Sequence, residues 1–164
     1  MNYNFSPEKG IIRDKVTGDR CLIITRTQMQ QIFERLVDIF QSGAQVIITE
    51  AFKAAGERYV TESSNALKSD PVMFLKVTLE RFAEAGLGKT EIIHVDPKEG
   101  ELTFRVYNNF FAEICSGNST YCNCVAAFAS GIYKQILNKK PYVKETKCIE
   151  EGDAYCEWYI KPTE

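Results

Sequence analysis

The chain has 164 residues, of which 45% are apolar, 12% aromatic and 26% charged, with a net charge of −2. That length suits a single domain spanning 1–164, and the balanced charge leaves no broad field for gathering nucleic acid. Glu50 and Lys53 interrupt the most apolar window, which excludes a spanning helix. Met1–Gly10 lacks the apolar stretch of a secretion signal, so the expectation is a cytoplasmic protein.

In chain order, Arg20–Thr25 reads as a short buried strand. Thr27 then caps a helix carrying Met29, Ile32, Phe33, Leu36 and Phe40 at helical spacing, and Gly43 breaks it. A second helix presents Ala44, Ile47, Ala51, Ala54 and Ala55 as a small-residue face suited to close packing. Asp70-Pro71 starts a third, with Val72, Leu75, Leu79 and Phe82 on its apolar face and Gly86 and Gly88 beyond its end. Thr90–Asp96 and Glu101–Tyr107 form a hairpin about Asp96-Pro-Lys-Glu-Gly100, with Leu102, Phe104 and Val106 sharing one strand face. A Cys115-Ser-Gly-Asn-Ser-Thr120 loop leads to a fourth helix bearing Val125, Phe128, Ile132 and Ile136. Tyr142–Ile149 and Ala154–Ile160 close a second hairpin around Glu150–Asp153. The order β-α-α-α-β-β-α-β-β, dominated by hairpins, predicts an α+β domain with an antiparallel sheet and helices packed on one face.

Six cysteines stand at 21, 115, 122, 124, 148 and 156. Without a secretion signal, metal binding or redox chemistry is a better reading than a disulfide framework. Cys21, within Cys-Leu-Ile-Ile, reads as a buried hydrophobe. Cys148 and Cys156 flank the last turn. If that turn centres on Gly152 they are directly opposed, with Cβ atoms roughly 5 Å apart. Two thiolates there suit one Zn²⁺, a cross-strand disulfide, or plain core packing. Cys122 or Cys124, at a helix start that favours the thiolate, supplies a third sulfur.

Other motifs fail. Gly86-Leu-Gly-Lys-Thr90 has Ala83 where a phosphate loop needs glycine, and it runs from helix to strand. His94, the sole histidine, sits in mid-strand with no linked acid, and Asn118-Ser-Thr120 has meaning only on a secreted protein. Neither a nicotinamide or flavin motif nor an acid–base pair is evident, so a binding module is favoured over an enzyme.

Cys122-x4-Ala127-x3-Gly131, followed by Glu145-Thr-Lys-Cys148-Ile-Glu-Glu-Gly152-Asp-Ala-Tyr-Cys156-Glu-Trp-Tyr, resembles the C-terminal signature of the 4-vinyl reductase domain family, at about residues 100–162. Standalone archaeal members are described as predicted hydrocarbon-binding proteins. Related domains are sensory modules of aromatic-responsive activators, and TRAPP subunits share the fold. The resemblance implies a hydrophobic-molecule-binding domain, sensory or regulatory, with a structural zinc held by Cys122, Glu145, Cys148 and Cys156. Glu145 and Cys148 have opposite parity on a regular strand, so both reach one metal only if the strand ends or bulges between them. Cys122 fits better than Cys124, because it keeps the nine-residue spacing to Gly131. The implied apolar cavity, for a hydrocarbon or tetrapyrrole-like ligand, draws its walls from Phe74, Phe82, Phe104, Val106, Phe110, Phe111, Phe128 and Tyr133. A homodimer is expected, with the second helix as a candidate face, and no nucleic-acid or membrane partner. The alternatives are a thiol redox sensor and a vinyl-reductase-type enzyme subunit.

Overall fold

The computed structural model describes residues 3–15, 17–63, 70–114 and 119–163. The chain runs β1 (Tyr3–Ser6), β2 (Ile11–Asp14), β3 (Arg20–Cys21), α1 (Arg26–Phe40), α2 (Gly43–Glu62), α3 (Pro71–Glu84), β4 (Lys89–Asp96), β5 (Glu101–Tyr107), α4 (Phe110–Ile114), α5 (Asn123–Leu137), β6 (Pro141–Lys147) and β7 (Cys156–Pro162). Single 3-10 turns occupy Ser119–Cys122 and Ile149–Glu151. The expected α+β architecture is present: β4, β5, β7 and β6 form a four-stranded antiparallel sheet in that spatial order.

Period-two alternation places Leu102, Phe104 and Val106 of β5 on the buried face, opposite Ile160, Trp158 and Cys156 of β7. The β4–β5 turn is closed by Asp96, whose Oδ1 accepts from the Lys98 and Glu99 amides at 2.9 and 3.2 Å. Asp70 caps α3 as expected, accepting from the amides of Val72 and Met73 at 3.0 Å.

Helix α2 crosses α5 at very short range, because each contributes a glycine. A Cβ on Gly56 would lie 2.1 Å from the Phe128 carbonyl oxygen, and one on Gly131 would lie 2.0 Å from that of Lys53. The buried line of α2 is therefore Ala44, Ile48, Gly56 and Val60. Of the face predicted for this helix only Ala44 is buried; Ile47, Ala51, Ala54 and Ala55 are exposed. Spacing by four along α2, with glycine rather than alanine at the tightest point, decides the packed face.

Three further expectations change. The N-terminal segment forms a separate antiparallel sheet, β1–β2–β3, which the sequence order omitted. The predicted buried strand at Arg20–Thr25 is reduced to Arg20–Cys21; Leu22 and Ile23 are exposed and Cys21 is only partly covered. The cap of α1 is Thr25, not Thr27, because Thr25 and Gln28 form a reciprocal capping box. Helix α1 ends at Gln41, which takes a positive φ of 50°, and Gly43 opens α2. Of the predicted 115–120 loop, residues 115–118 and with them Cys115 and Asn118 lie outside the described residues, and Ser119 begins the 3-10 turn.

Candidate functional site

Two sites share the start of α5. The first is a cysteine cluster. Cys122 ends the 3-10 turn that leads into α5, Cys148 follows β6, and Cys156 opens β7 on the buried face of the sheet. Their sulfurs lie within 4.8 Å of one another, and all three residues are buried. The β6–β7 register slips by one residue between Glu145 and Lys147, and β6 ends at Lys147. This bulge and strand end satisfy the condition under which Glu145 and Cys148 can serve one centre.

Electrostatics within the cluster follow from burial and mutual contact. Burial pushes the Cys148 thiol up to about 11, although the Glu150 backbone and Cys122 pull the other way. Donation from the Cys122 thiol is the main cause lowering Cys156 to about 6. Asn109 contributes too: fully buried, it donates through Nδ2 to Cys156 Sγ at 3.5 Å, while its Oδ1 accepts from the Phe111 amide at 3.1 Å. Burial raises the Glu145 carboxyl to about 7, with the Cys156 and Glu151 charges adding to the effect and Cys148 opposing it. Glu145 Oε1 is buried without a hydrogen-bond partner among the described residues. An acceptor oxygen beside three sulfurs, unpaired and desolvated, completes a donor set that fits a tetrahedral zinc with bonds of about 2.3 Å to sulfur and about 2.0–2.2 Å to oxygen. The remaining geometry is tied down locally: the Cys148 amide donates to Asp153 Oδ2 at 3.0 Å, and Trp158 Nε1 donates to Asn123 Oδ1 at 3.1 Å.

The second site is a cavity of about 260 Å³ enclosed by α2, α3, α5 and the N-terminal strands. Its apolar end is Phe52, Phe82, Leu87, Phe111, Val125 and Phe128, and its polar end is Tyr3, Asp14, Tyr59 and Arg81. Arg81 and Asp14 form a buried ion pair between α3 and β2. Cys124 lines this cavity and lies outside the three-sulfur cluster, which separates it from Cys122.

Of the wall residues read from sequence, Phe82, Phe111 and Phe128 line the cavity. The other five lie elsewhere, each for a packing reason. Phe104 packs on Trp158 with ring centroids 5.4 Å apart, and Val106 is sealed beneath the same sheet. Phe74 sits in a small cluster with Val60 and Ile132. Phe110 packs edge-on to Phe111 from outside the cavity lining. Tyr133 turns its hydroxyl to donate to the Gly100 carbonyl at 2.5 Å. Sequence reasoning missed Tyr59, Arg81, Asp14 and Tyr3. Phe52, Ala55 and Tyr59 recur at helical spacing on α2, a usable signal; Asp14 carried none. His94 lies at the β4 bulge, half exposed and 3.7 Å from Glu101.

Residues 102–162 match the model of the 4-vinyl reductase domain family. An uncharacterized protein of Methanocaldococcus jannaschii, MJ1642, is 27% identical over 84 residues, covering 49% of this chain and 48% of that protein. The chain thus spans about half the length of that curated relative. Among solved structures, the phenol-responsive sensory domain of the transcription activator PoxR, crystallised with phenol, superposes with a TM-score of 0.79 at 15% identity, covering 98% of this chain and 85% of that one. A vinyl-4-reductase family protein from Methanocaldococcus jannaschii aligns with a TM-score of 0.55 at 14% identity over 88% of this chain and 85% of that one. A trafficking protein particle complex subunit 3 from Naegleria fowleri, covalently bound to palmitic acid, gives 0.55 at 13% identity over 85% and 95%. The chain carries a 4-vinyl reductase domain at residues 102–162, within the α+β fold that these sensory and trafficking proteins share.

Proposed function

We propose that this chain is a small-molecule-binding sensory domain whose cysteine cluster holds a structural zinc. The observation that carries the reading is the enclosed, aromatic-walled cavity of about 260 Å³, set beside the cluster rather than within it. An apolar cavity of ~150 Å³ is known to take benzene, so this one has room for a substituted or fused ring. The similarity in fold to a phenol-responsive sensory domain supports the same class of ligand.

Cys122, Cys148, Cys156 and Glu145 would hold the zinc, and four protein ligands leave no open position for a reactive water. The ion would supply a cross-link between the start of α5 and the β6–β7 hairpin. Asn109 joins that cross-link to the cavity, contacting Cys156 through Nδ2 and the Phe111 amide through Oδ1. A thiol redox role uses the same sulfurs, and the depressed Cys156 thiol is the observation in its favour. A homodimer fits the exposed apolar residues Ile39, Phe40, Val46 and Ile47 at the α1–α2 corner.

Native mass spectrometry of freshly purified protein, together with metal analysis under reducing conditions, tests all three. The expected result is one zinc per chain, a dimer, and stabilisation by small aromatic compounds in a thermal-shift screen. A zinc-free chain with a Cys148–Cys156 disulfide would favour the redox role, and the absence of any stabilising apolar compound would remove the sensory reading.

A further inference from the structure

We propose that the cavity selects an uncharged ligand of one or two rings bearing a single carbonyl-type oxygen, received jointly by Arg81 and Tyr59. The inference rests on the cavity reading above and specifies its ligand. Arg81 is buried to 7% exposure and lines the cavity, yet its Nη1 has no hydrogen-bond partner among the described residues. The Tyr59 hydroxyl, also on the cavity wall, is likewise buried and unpartnered. The guanidinium carbon lies 5.9 Å from the Tyr59 ring centroid, so both groups occupy the same end of the cavity.

Proton and charge accounting then selects the head group. Arg81 offers a donor that cannot act as an acceptor, and Tyr59 can donate as well. A pure hydrocarbon would leave both buried without a partner, a cost that falls on each group. A carboxylate would bring a second negative charge, because Asp14 already neutralises Arg81 through its Oδ2. In a cavity otherwise walled by phenylalanine and aliphatic groups, that uncompensated charge is penalised by desolvation. A hydroxyl could accept from Arg81, but its own proton adds a donor where acceptors are committed. Asp14 Oδ2 faces Arg81, and Oδ1 accepts from the Thr17 amide at 3.2 Å. Thr78 spends its proton on the Phe74 carbonyl at 2.8 Å. A carbonyl oxygen has two lone pairs and no proton, which matches two donors.

The test is calorimetric titration of the full chain with four naphthalenes substituted at the same ring position: acetyl, ethyl, hydroxyl and carboxylate. The expected order is acetylnaphthalene tightest, ethylnaphthalene and naphthol weaker by about tenfold, as one unpaired buried donor implies, and naphthoate weakest. Tyr59→Phe should shrink the acetyl-to-ethyl ratio several-fold while leaving ethylnaphthalene affinity unchanged. The paired variant Asp14→Asn/Arg81→Met, which strands no buried charge, should shrink it further. Ethylnaphthalene or naphthol binding as tightly as the ketone, or naphthoate binding tightest, overturns this inference and leaves the cavity reading standing. A ratio unmoved by both variants places the head group elsewhere and overturns it too. Failure of all four compounds to bind counts against the cavity reading itself.

Discussion

Replacing Gly131 by alanine adds one methyl group at the point where α5 passes closest to α2. Its Cβ would sit 2.0 Å from the Lys53 carbonyl oxygen and 3.0 Å from the Glu57 amide nitrogen. Both obstacles are helical backbone, so no side-chain rotation relieves the clash and the helices must part by about 1 Å. Overpacking of this kind costs about 1–3 kcal/mol, and a rigid backbone obstacle belongs at the upper end. Alanine recovers about 1 kcal/mol of helix propensity over glycine, leaving a net loss of about 2 kcal/mol. For a chain of this size that lowers the thermal midpoint by roughly 4–8 °C. Thermal unfolding followed by circular dichroism reads it directly. Gly43→Ala is the control, since its Cβ would meet only Phe40 Cβ at 3.9 Å and should change little. Gly56→Ala strains the same crossing from the other helix, so the double variant should lose less than the sum of the two singles. An unchanged or raised midpoint for Gly131→Ala would refute the close crossing as the brace of this fold.

Cys148→Ser should abolish zinc retention and much of the thermal stability, whereas Cys21→Ser and Cys124→Ser should retain the metal; elemental analysis of each variant decides. Glu145→Gln should weaken zinc retention less than any cysteine change in the cluster, and retention equal to the parent chain would remove Glu145 from the ligand set. Asp14→Asn strands the Arg81 charge and should cost about 3–5 kcal/mol, while Glu50→Gln, which breaks the exposed pair with Lys53, should cost under about 1 kcal/mol; paired denaturant titrations compare them. Asn109→Ala removes a fully buried amide between Cys156 and the Phe111 amide. It should lower both zinc retention and affinity for aromatic compounds, and a loss of only one would separate the two sites.

Much of the frame was legible because its signals are local. The alternation of Leu102, Phe104 and Val106 survives as the buried face of β5, and Asp70-Pro71 starts α3 where its capping chemistry says it should. Signals that depend on distant partners were misread. Arg20–Thr25 is apolar enough to be a buried strand, but a run is buried only where another element covers it, and Leu22 and Ile23 remain exposed. Helix α2 offers two small faces, and only the position of Gly131 on α5 shows which one packs.

The cluster and the cavity differed for the same reason. An offset of eight residues across a tight turn brings Cys148 and Cys156 together through local register alone, so spacing pointed to both. Glu145 required a bulge, and nothing in Glu-Thr-Lys announces one; its sign in the structure is the slipped register and the unpaired buried oxygen. The cavity is harder still, because aromatic residues that line a space and those that fill a core have the same spacing and hydropathy. What separates Phe128 from Phe104 is whether a neighbouring ring occupies the volume in front of it: Trp158 packs on Phe104, whereas Phe128 borders the open volume between α2 and α3. The polar end of that volume is set by an ion pair between β2 and α3, elements far apart in the chain. Its functional information therefore lies in tertiary placement, and a ligand that reads Arg81 and Tyr59 reads the fold as much as the residues.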